Sequence, residues 1–548
     1  MKIAKWAKKN LFLIIVVFIY SIFSFIHLGD FKAPQSFHIF DEGEELYIAL
    51  PKEQKVSKVL LYVGPSYGDM SISYTNALAS GDTKCKCNSV EKIIGDKSRF
   101  GEYIGYTLDG GFKWKEIPIN RYTSVIKIRA DYNYYKSVWI GEVAVVGLNN
   151  DFIEDIKVGL SPEGILEGKN ELPELMDERD VVSIKGYDSM NSTYFDEIYF
   201  AETAMEYSFG IRGYENVHPP LGKILQSIPI SIFKKMTPFT WRCMGAFTGI
   251  LIVISMYYLA LELFHESKEK EKFAKITLLL SAMSTLILTQ SRLGTVDSYL
   301  CLFIILSFLF MIKFVNNPKK LLWLGLSGLF FGCALSVKWT GAFIGIGLAI
   351  IYLSKNRFKN IWKWLGFGAL FFVVVPTIIY FGCYLLFPKT TEAHNVGDVI
   401  SQGQNLYSYH STENRPHPAQ SMWYTWPISL VPFHYYYDGD GTGITLVGNY
   451  ATNYISIVAL LITLYFMIRK KDKISLYIIV AFLSMFLPFA LISRPMFLYH
   501  YIPASCFAIV AITNMIRLLA PKSKVIPAIV IGAAAVSFII LFRTATGL

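Results

Sequence analysis

Apolar runs long enough to cross a bilayer follow one another through most of this chain. They fall near residues 11–28, 240–264, 274–290, 297–315, 321–337, 339–354, 362–387, 451–468, 474–492, 497–518 and 524–543. A spanning helix needs roughly 20 such residues, so the expectation is a polytopic α-helical membrane protein of about eleven transmembrane helices. With 53% hydrophobic and only 17% charged residues, neither a disordered chain nor a soluble multidomain enzyme fits. The first run follows Lys2, Lys5, Lys8 and Lys9. No small-residue cleavage site follows it, so it reads as a retained helix rather than a signal peptide.

The net charge of +10 is distributed as membrane loops distribute it, which argues against a nucleic-acid partner. With the N-terminus in the cytoplasm, the inner loops collect Lys268, Lys270, Lys272 and Lys275; Lys319 and Lys320; Lys355, Arg357, Lys359 and Lys363; Arg469, Lys470, Lys471 and Lys473; and Arg517, Lys522 and Lys524. The short outer loops hold isolated cations: Arg292, Lys338 and Arg494. This asymmetry follows the positive-inside rule. The reading is a multi-pass protein of the cell membrane with the active site and the C-terminus outside.

The expected order is a first transmembrane helix in 1–30, an extracellular β-sandwich in 31–180, a catalytic outer loop in 181–238, helices 2–7 in 239–387, a second outer loop in 388–450 and helices 8–11 in 451–548. The β-region rests on short Val-, Ile- and Tyr-rich runs broken by Gly, Asp and Asn, such as SKVLLYVG from Ser57 and KSVWIGEVAVVG from Lys136. Its last strands resemble those of carbohydrate-binding jelly rolls, with a plain spacer as the alternative. The polar stretch from Ser161 to Asp180 reads as a linker. Cys243, Cys301, Cys333, Cys383 and Cys506 lie in or beside apolar runs, as small core residues do. Cys85 and Cys87 form a C-x-C in the soluble stretch, with a disulfide or two thiols as alternatives and too few neighbours for a metal.

Chemistry concentrates after the linker. Asp196 and Glu197 form an acidic pair in an aromatic, half-apolar segment, followed by His218-Pro219-Pro220-Leu221-Gly222-Lys223. Carboxylates beside a membrane are costly unless paired or employed. Further along stand PFTWRCMGAFTG from Pro238, QSRLGTVDSYL from Gln290, LSVKWTG from Leu335, YSYHSTENRPHPAQSMWYTWP from Tyr407, Gly448-Asn449 and SRPMFLYHYIPA from Ser493. In this order the segments resemble the protein O-mannosyltransferases of bacterial type, over about 190–520. Two features depart from the pattern. The second outer loop is too short for the β-trefoil repeats of eukaryotic members, and Asn216, with Glu215 beside it, stands where an acid often precedes H-P-P.

The resemblance implies a GT-C glycosyltransferase fold and transfer of mannose from a polyprenyl-phosphate carrier to Ser/Thr hydroxyls of exported proteins, with inversion. Asp196 is then the general base, and Glu197 orients a cation or the acceptor. Arg242, Arg292, Lys338 and Arg494 form a cage for the donor phosphate. His218, His500, Trp423, Tyr424 and Trp426 contact substrate or acceptor. A phosphate leaving group held by cations implies no metal and no cofactor. A dimer is left open. One alternative is a related lipid-phosphate-sugar transferase acting on a lipid or cell-wall glycan. Another, of a different class, is a transporter or glycan sensor. The spans are nearly free of acids, with Glu262 at a helix end and Asp297 at an outer loop, which favours the enzyme over the transporter.

Overall fold

Alternating apolar residues in the first third of the chain produce two unusually long strands. Strand β2 (Glu45–Val63) and strand β5 (Lys113–Ala130) pair antiparallel along most of their length. Around them lie β1 (His38–Asp41), β3 (Gly68–Tyr74), β4 (Ile104–Leu108), β6 (Ser137–Gly147) and β7 (Lys157–Gly159). The order is β1-β6-β2-β5-β3-β4, with β7 also on β2. This is the computed structural model of the chain, which describes residues 10–65, 68–74, 103–108, 111–131, 137–161, 165, 171–355, 361–412, 415–439 and 443–548. Cys85, Cys87, the lysines at 2–9, Arg357 and Lys359 lie outside the described residues.

The β-sandwich region expected from the sequence is built from one continuous sheet. Register shifts between Ala49 and Gln54 and between Val56 and Lys58 interrupt β2, and bulges of this kind bend a strand. The first part of β2 pairs with β7 and the last with β6. Ile48 and Ile128 from one half share an apolar core with Val59, Leu61 and Val143 from the other. A bent strand thus does the work of two shorter ones.

The tether expected at 161–180 is also corrected. Leu172 and Leu175 are buried in the same core. Beyond them, Ser192 Oγ accepts from Trp114 N–H at 3.1 Å and Thr193 Oγ1 donates to the Gly111 carbonyl at 2.6 Å. This compact unit comprises Gly29–Glu202 and Lys235–Phe239. Residues 181–202, read from sequence as part of the catalytic loop, belong to it because their hydroxyls and backbone bond the sheet.

The second unit comprises Met1–Leu28, Thr203–Lys234 and Thr240–Leu548. Every apolar run read from the sequence is helical here. Among the described residues, seven helices have the length and composition to cross a membrane: Pro238–Leu263, Asp297–Asn316, Ile361–Leu385, Tyr450–Lys470, Lys473–Leu491, Leu498–Leu519 and Val525–Thr546. The run near 274–290 is a broken pair, Lys270–Ala282 and Thr285–Ser291, bent by 55°. The runs at 11–28, 321–337 and 339–354 are the shorter helices Leu11–Phe25, Leu321–Val337 and Trp339–Ser354. At the break, Ser284 caps the second half, and the freed Met283 carbonyl accepts from Asn449 Nδ2 at 3.0 Å. In a bilayer such a carbonyl needs a protein donor. The chain is a multi-pass membrane protein.

One short helix, Leu221–Phe233, was not among the eleven runs. It buries Lys223, Gln226 and Ser227 and exposes Ile228, Ile232 and Phe233. A helix with polar residues inside and apolar ones outside belongs where the outer medium is lipid.

Candidate active site

The H-P-P-L-G-K motif bends the chain into this inside-out helix. Pro220 is its N-cap, where a missing N–H and a preset φ cost nothing. A Cβ on Gly222 would lie 2.6 Å from Val296, so glycine alone permits the close seating of this turn. Lys223 is thereby buried, and its Nζ donates to Glu215 Oε2 at 2.6 Å and to the Glu215 and His218 carbonyls at 2.7 Å each. Glu215 Oε1 accepts from His218 Nδ1–H at 2.7 Å and Val217 N–H at 3.1 Å. A buried ion pair is tolerated when its remaining donors and lone pairs are satisfied in this way. Burial acts to raise the Glu215 carboxyl, but the Lys223 ammonium and His218 hold it at about 2. Burial lowers the His218 imidazole below its ordinary value, against the pull of Glu215 and with help from Lys338 and Lys223. Glu215, beside Asn216, is thus the acid that pairs with Lys223 and His218 of the H-P-P-L-G-K motif. Only its adjacency in sequence signalled this.

His410, near the end of helix Val396–Thr412, joins this loop to Arg494. Its Nε2 lies 2.8 Å from the Val217 carbonyl and its Nδ1 lies 2.6 Å from Arg494 Nη1. Burial first, and then the Arg494 charge, lower the imidazole to about 4. His410 is the one side chain among the described residues that bonds Arg494, leaving four of five guanidinium N–H groups uncommitted. Lys338 ends helix Leu321–Val337, donates to Asp297 at 2.9 Å and lies 5.4 Å from the Tyr499 ring centre. Lys338 bears electrostatically on both His218 and His410, so Lys223, Lys338 and Arg494 share one neighbourhood.

The four cations expected to form a cage have different partners: Arg242 and Arg292 bond carbonyls at the end of the first helix, and Lys338 and Arg494 bond Asp297 and His410. Arg292 Nη1 donates to the carbonyls of Phe23, Ser24 and Ile26 at 2.7–3.1 Å, and Nη2 to His27 at 2.7 Å. Arg242 Nη1 donates to the Leu28 carbonyl at 3.0 Å, and its side chain is 1% exposed. A helix C-terminus leaves carbonyls without intrahelical donors, and these guanidiniums supply donors to those of Phe23, Ser24 and Ile26 and to His27 and Leu28 just beyond.

The aromatic candidates also divide. Trp426 is buried, bonds Ser421 through Nε1 and stacks on His500 with centroids 6.1 Å apart. It braces His500 instead of facing a ligand. Trp423 packs on Phe486 and Tyr424, while Tyr424 itself is exposed. His500 is buried with Nδ1 3.0 Å from the Phe497 carbonyl, and its Nε2 has no partner. His500 lines a small recess with Asp297, Thr340 and Tyr499. The sequence reading gave no role to Glu215, Lys223, Asp297 or His410. Lys223, Asp297 and His410 all lie inside the quoted motifs.

Asp196 and Glu197 belong to the Gly29–Glu202 unit. Glu197 opens helix Glu197–Phe209, is fully buried, and accepts from Tyr194 N–H at 3.3 Å. Asp196 is half-buried, and its carbonyl starts the helix by accepting from Tyr199 and Phe200. Phe195 directly before it sits at φ +53°. That conformation is strained for a bulky residue and recurs at functional sites. Among the described residues, no group of three or more His, Cys, Asp and Glu side chains is placed to hold a metal ion.

The chain matches two family models: dolichyl-phosphate-mannose-protein mannosyltransferase over 181–389, and the C-terminal four-transmembrane region of protein-O-mannosyltransferase over 397–548. The polyprenol-phosphate-mannose–protein mannosyltransferase of Mycolicibacterium smegmatis is 24% identical over 398 residues, covering 58% of this chain and 75% of that one. Dolichyl-phosphate-mannose–protein mannosyltransferase 6 of Saccharomyces cerevisiae is 27% identical over 236 residues, covering 36% of this chain and 29% of that one. The fold is similar to that of the S. cerevisiae protein O-mannosyltransferase Pmt1-Pmt2 complex bound to the sugar donor, with a TM-score of 0.56 and 14% identity over 65% of this chain and 87% of that one. This is the GT-C architecture. On the ordered motifs, the two family models and the fold together, the chain belongs to the protein O-mannosyltransferase family.

Proposed function

We propose that this protein is an inverting polyprenyl-phosphate-mannose–protein mannosyltransferase that modifies Ser/Thr hydroxyls of exported proteins on the outer face of the cell membrane. The observation that carries this reading is Arg494, a guanidinium held by one neutral histidine with four donors uncommitted, near the Lys338 and Lys223 ammoniums, in a chain of this family. In a single displacement the acceptor hydroxyl attacks the anomeric carbon as the bond to the carrier phosphate breaks, which inverts that carbon. The departing phosphate gains charge, and Arg494 and Lys338 are placed to stabilise it. The hydroxyl proton goes to a carboxylate, and Asp196 takes that role by its place in the D-E motif. Glu197, folded onto Tyr194, positions that turn. These charges suffice for a monophosphate, so the reaction runs without a metal or cofactor. The N-terminus lies in the cytoplasm and the C-terminus outside, as the cationic loops indicate.

The test is transfer of labelled mannose from polyprenyl phosphate to a Ser/Thr peptide by the purified protein, with EDTA present. The reading expects a product of inverted anomeric configuration. Asp196→Asn should lower turnover roughly 10²–10⁴-fold, the usual loss for a general base. Transfer only to a lipid or glycan would replace the acceptor assignment, and sizing of the solubilised protein would show whether it works as a dimer.

A further inference from the structure

The mechanism above uses Arg494 and leaves unexplained why a histidine is its partner. An arginine that must hold still is normally fixed by a carboxylate, in a bidentate pair that also neutralises it. Arg494 is fixed by His410 instead. The hydrogen-bond chemistry leaves one arrangement. The Val217 carbonyl can only accept, so Nε2, 2.8 Å away, carries the hydrogen. The guanidinium can only donate, so Nδ1, 2.6 Å from Nη1, is the bare acceptor. His410 is thus a neutral Nε2–H tautomer, oriented from one side by the loop and orienting Arg494 on the other.

We infer that His410 is a positioning residue that aligns Arg494 for the donor phosphate while leaving its full positive charge, and that it ties this alignment to the 215–218 loop. The tie is continuous. Val217 donates its N–H to Glu215, Glu215 binds His218 and Lys223, and the Val217 carbonyl holds His410. The acidic and basic groups facing this chain are thus paired among themselves, and no carboxylate in the hydrogen-bond and ion-pair network reaches Arg494 among the described residues. The anion is a phosphate monoester of the donor class, so the inference rests on the function proposed above.

Donor binding and steady-state transfer are measured for the full-length protein and for His410→Asp, His410→Asn and His410→Gln. Aspartate gives Arg494 an acceptor of about the same reach but adds a negative charge. Donor Kd and KM should rise at least about tenfold over those of His410→Asn, given the strength of a close charge pair in a partly buried site. Asparagine keeps a neutral acceptor near the Nδ1 position, and its donor KM should stay within about threefold of wild type. Glutamine reaches the Val217 carbonyl and loses the Arg494 contact, so its donor KM should rise. Equal donor binding by the aspartate and asparagine variants overturns the inference. If the aspartate variant fails to fold, equal donor KM in the asparagine and glutamine variants overturns it. Absence of transfer by wild type with intact donor binding counts against the proposed reaction and leaves the binding comparison readable.

Discussion

Two pairs of outer-loop cations look alike in the sequence and behave differently in the fold. Arg242 and Arg292 are buried against backbone carbonyls at the end of the first helix. Arg494 and Lys338 each have one side-chain hydrogen-bond partner, His410 and Asp297. Arg292, with one bond from Arg242, closes a helix end that lipid could not satisfy. In the second, Arg494 keeps its full charge beside a neutral histidine, while Lys338 is paired with the Asp297 carboxylate. Residue type and loop position therefore do not separate the two pairs, and the partner each cation already has does.

The largest effect that sharpens this contrast is on folding. Arg292→Ala leaves at least four carbonyls without their donor, and a buried unsatisfied polar group costs about 1–3 kcal/mol. It should lower the melting temperature and membrane yield sharply. Arg494→Ala should melt within a few degrees of wild type while losing roughly 10²-fold or more in transfer, as when a charge stabiliser of the transition state is removed. Equal melting temperatures for the two variants would break the distinction.

The next effect is at Glu215. Glu215→Gln keeps the shape but leaves Lys223 buried without its counter-ion, which costs about 3–5 kcal/mol. Because the carboxyl is held at about 2, below its unfolded value, its stabilisation is present above roughly pH 4.5 and fades as pH falls toward 2. The variant should lose that acid-side dependence in a melting series.

A smaller effect lies in the β-sheet unit. Glu142 is buried beside Asp177 and Glu178, and burial first of all raises its carboxyl to about 8. Its unfolded value is lower, so its favourable contribution is full below roughly pH 4.5 and is lost as pH rises to 8. Hydrogen exchange of strand β6 should therefore quicken from pH 5 to 8 after correction for intrinsic rates, and Glu142→Gln should flatten that trend. The smallest expected effect is at exposed Tyr424. Alanine there should leave the melting temperature unchanged and raise acceptor KM a few-fold.

The same contrast shows how far the sequence could be read. Each of the eleven apolar runs lies on a helix because a bilayer imposes length and composition on each segment by itself. The break at Met283 and the inside-out helix from Leu221 were not legible. The first depends on Asn449, far along the chain, supplying a donor, and the second hides its polar face against other segments. Leu172 and Leu175 looked like part of a polar linker because two apolar residues make no periodic signal until a core receives them. Around Arg494, the fold brings together segments that carry the quoted motifs, with His218, Lys338 and His410 among them. The motifs could not show that Glu215 pairs with Lys223, or that Arg292 points at carbonyls, since both depend on partners brought by the fold.

The division between the two cation pairs is tested most directly by donor affinity. Polyprenyl-phosphate mannose binding to purified Arg494→Ala and Arg242→Lys is compared with wild type, at a temperature where all three are folded. The account predicts a Kd raised at least about tenfold for Arg494→Ala, as for the loss of a charged hydrogen-bonding partner, and a Kd close to wild type for Arg242→Lys. Unchanged binding by Arg494→Ala, or an equal loss in both variants, would contradict it.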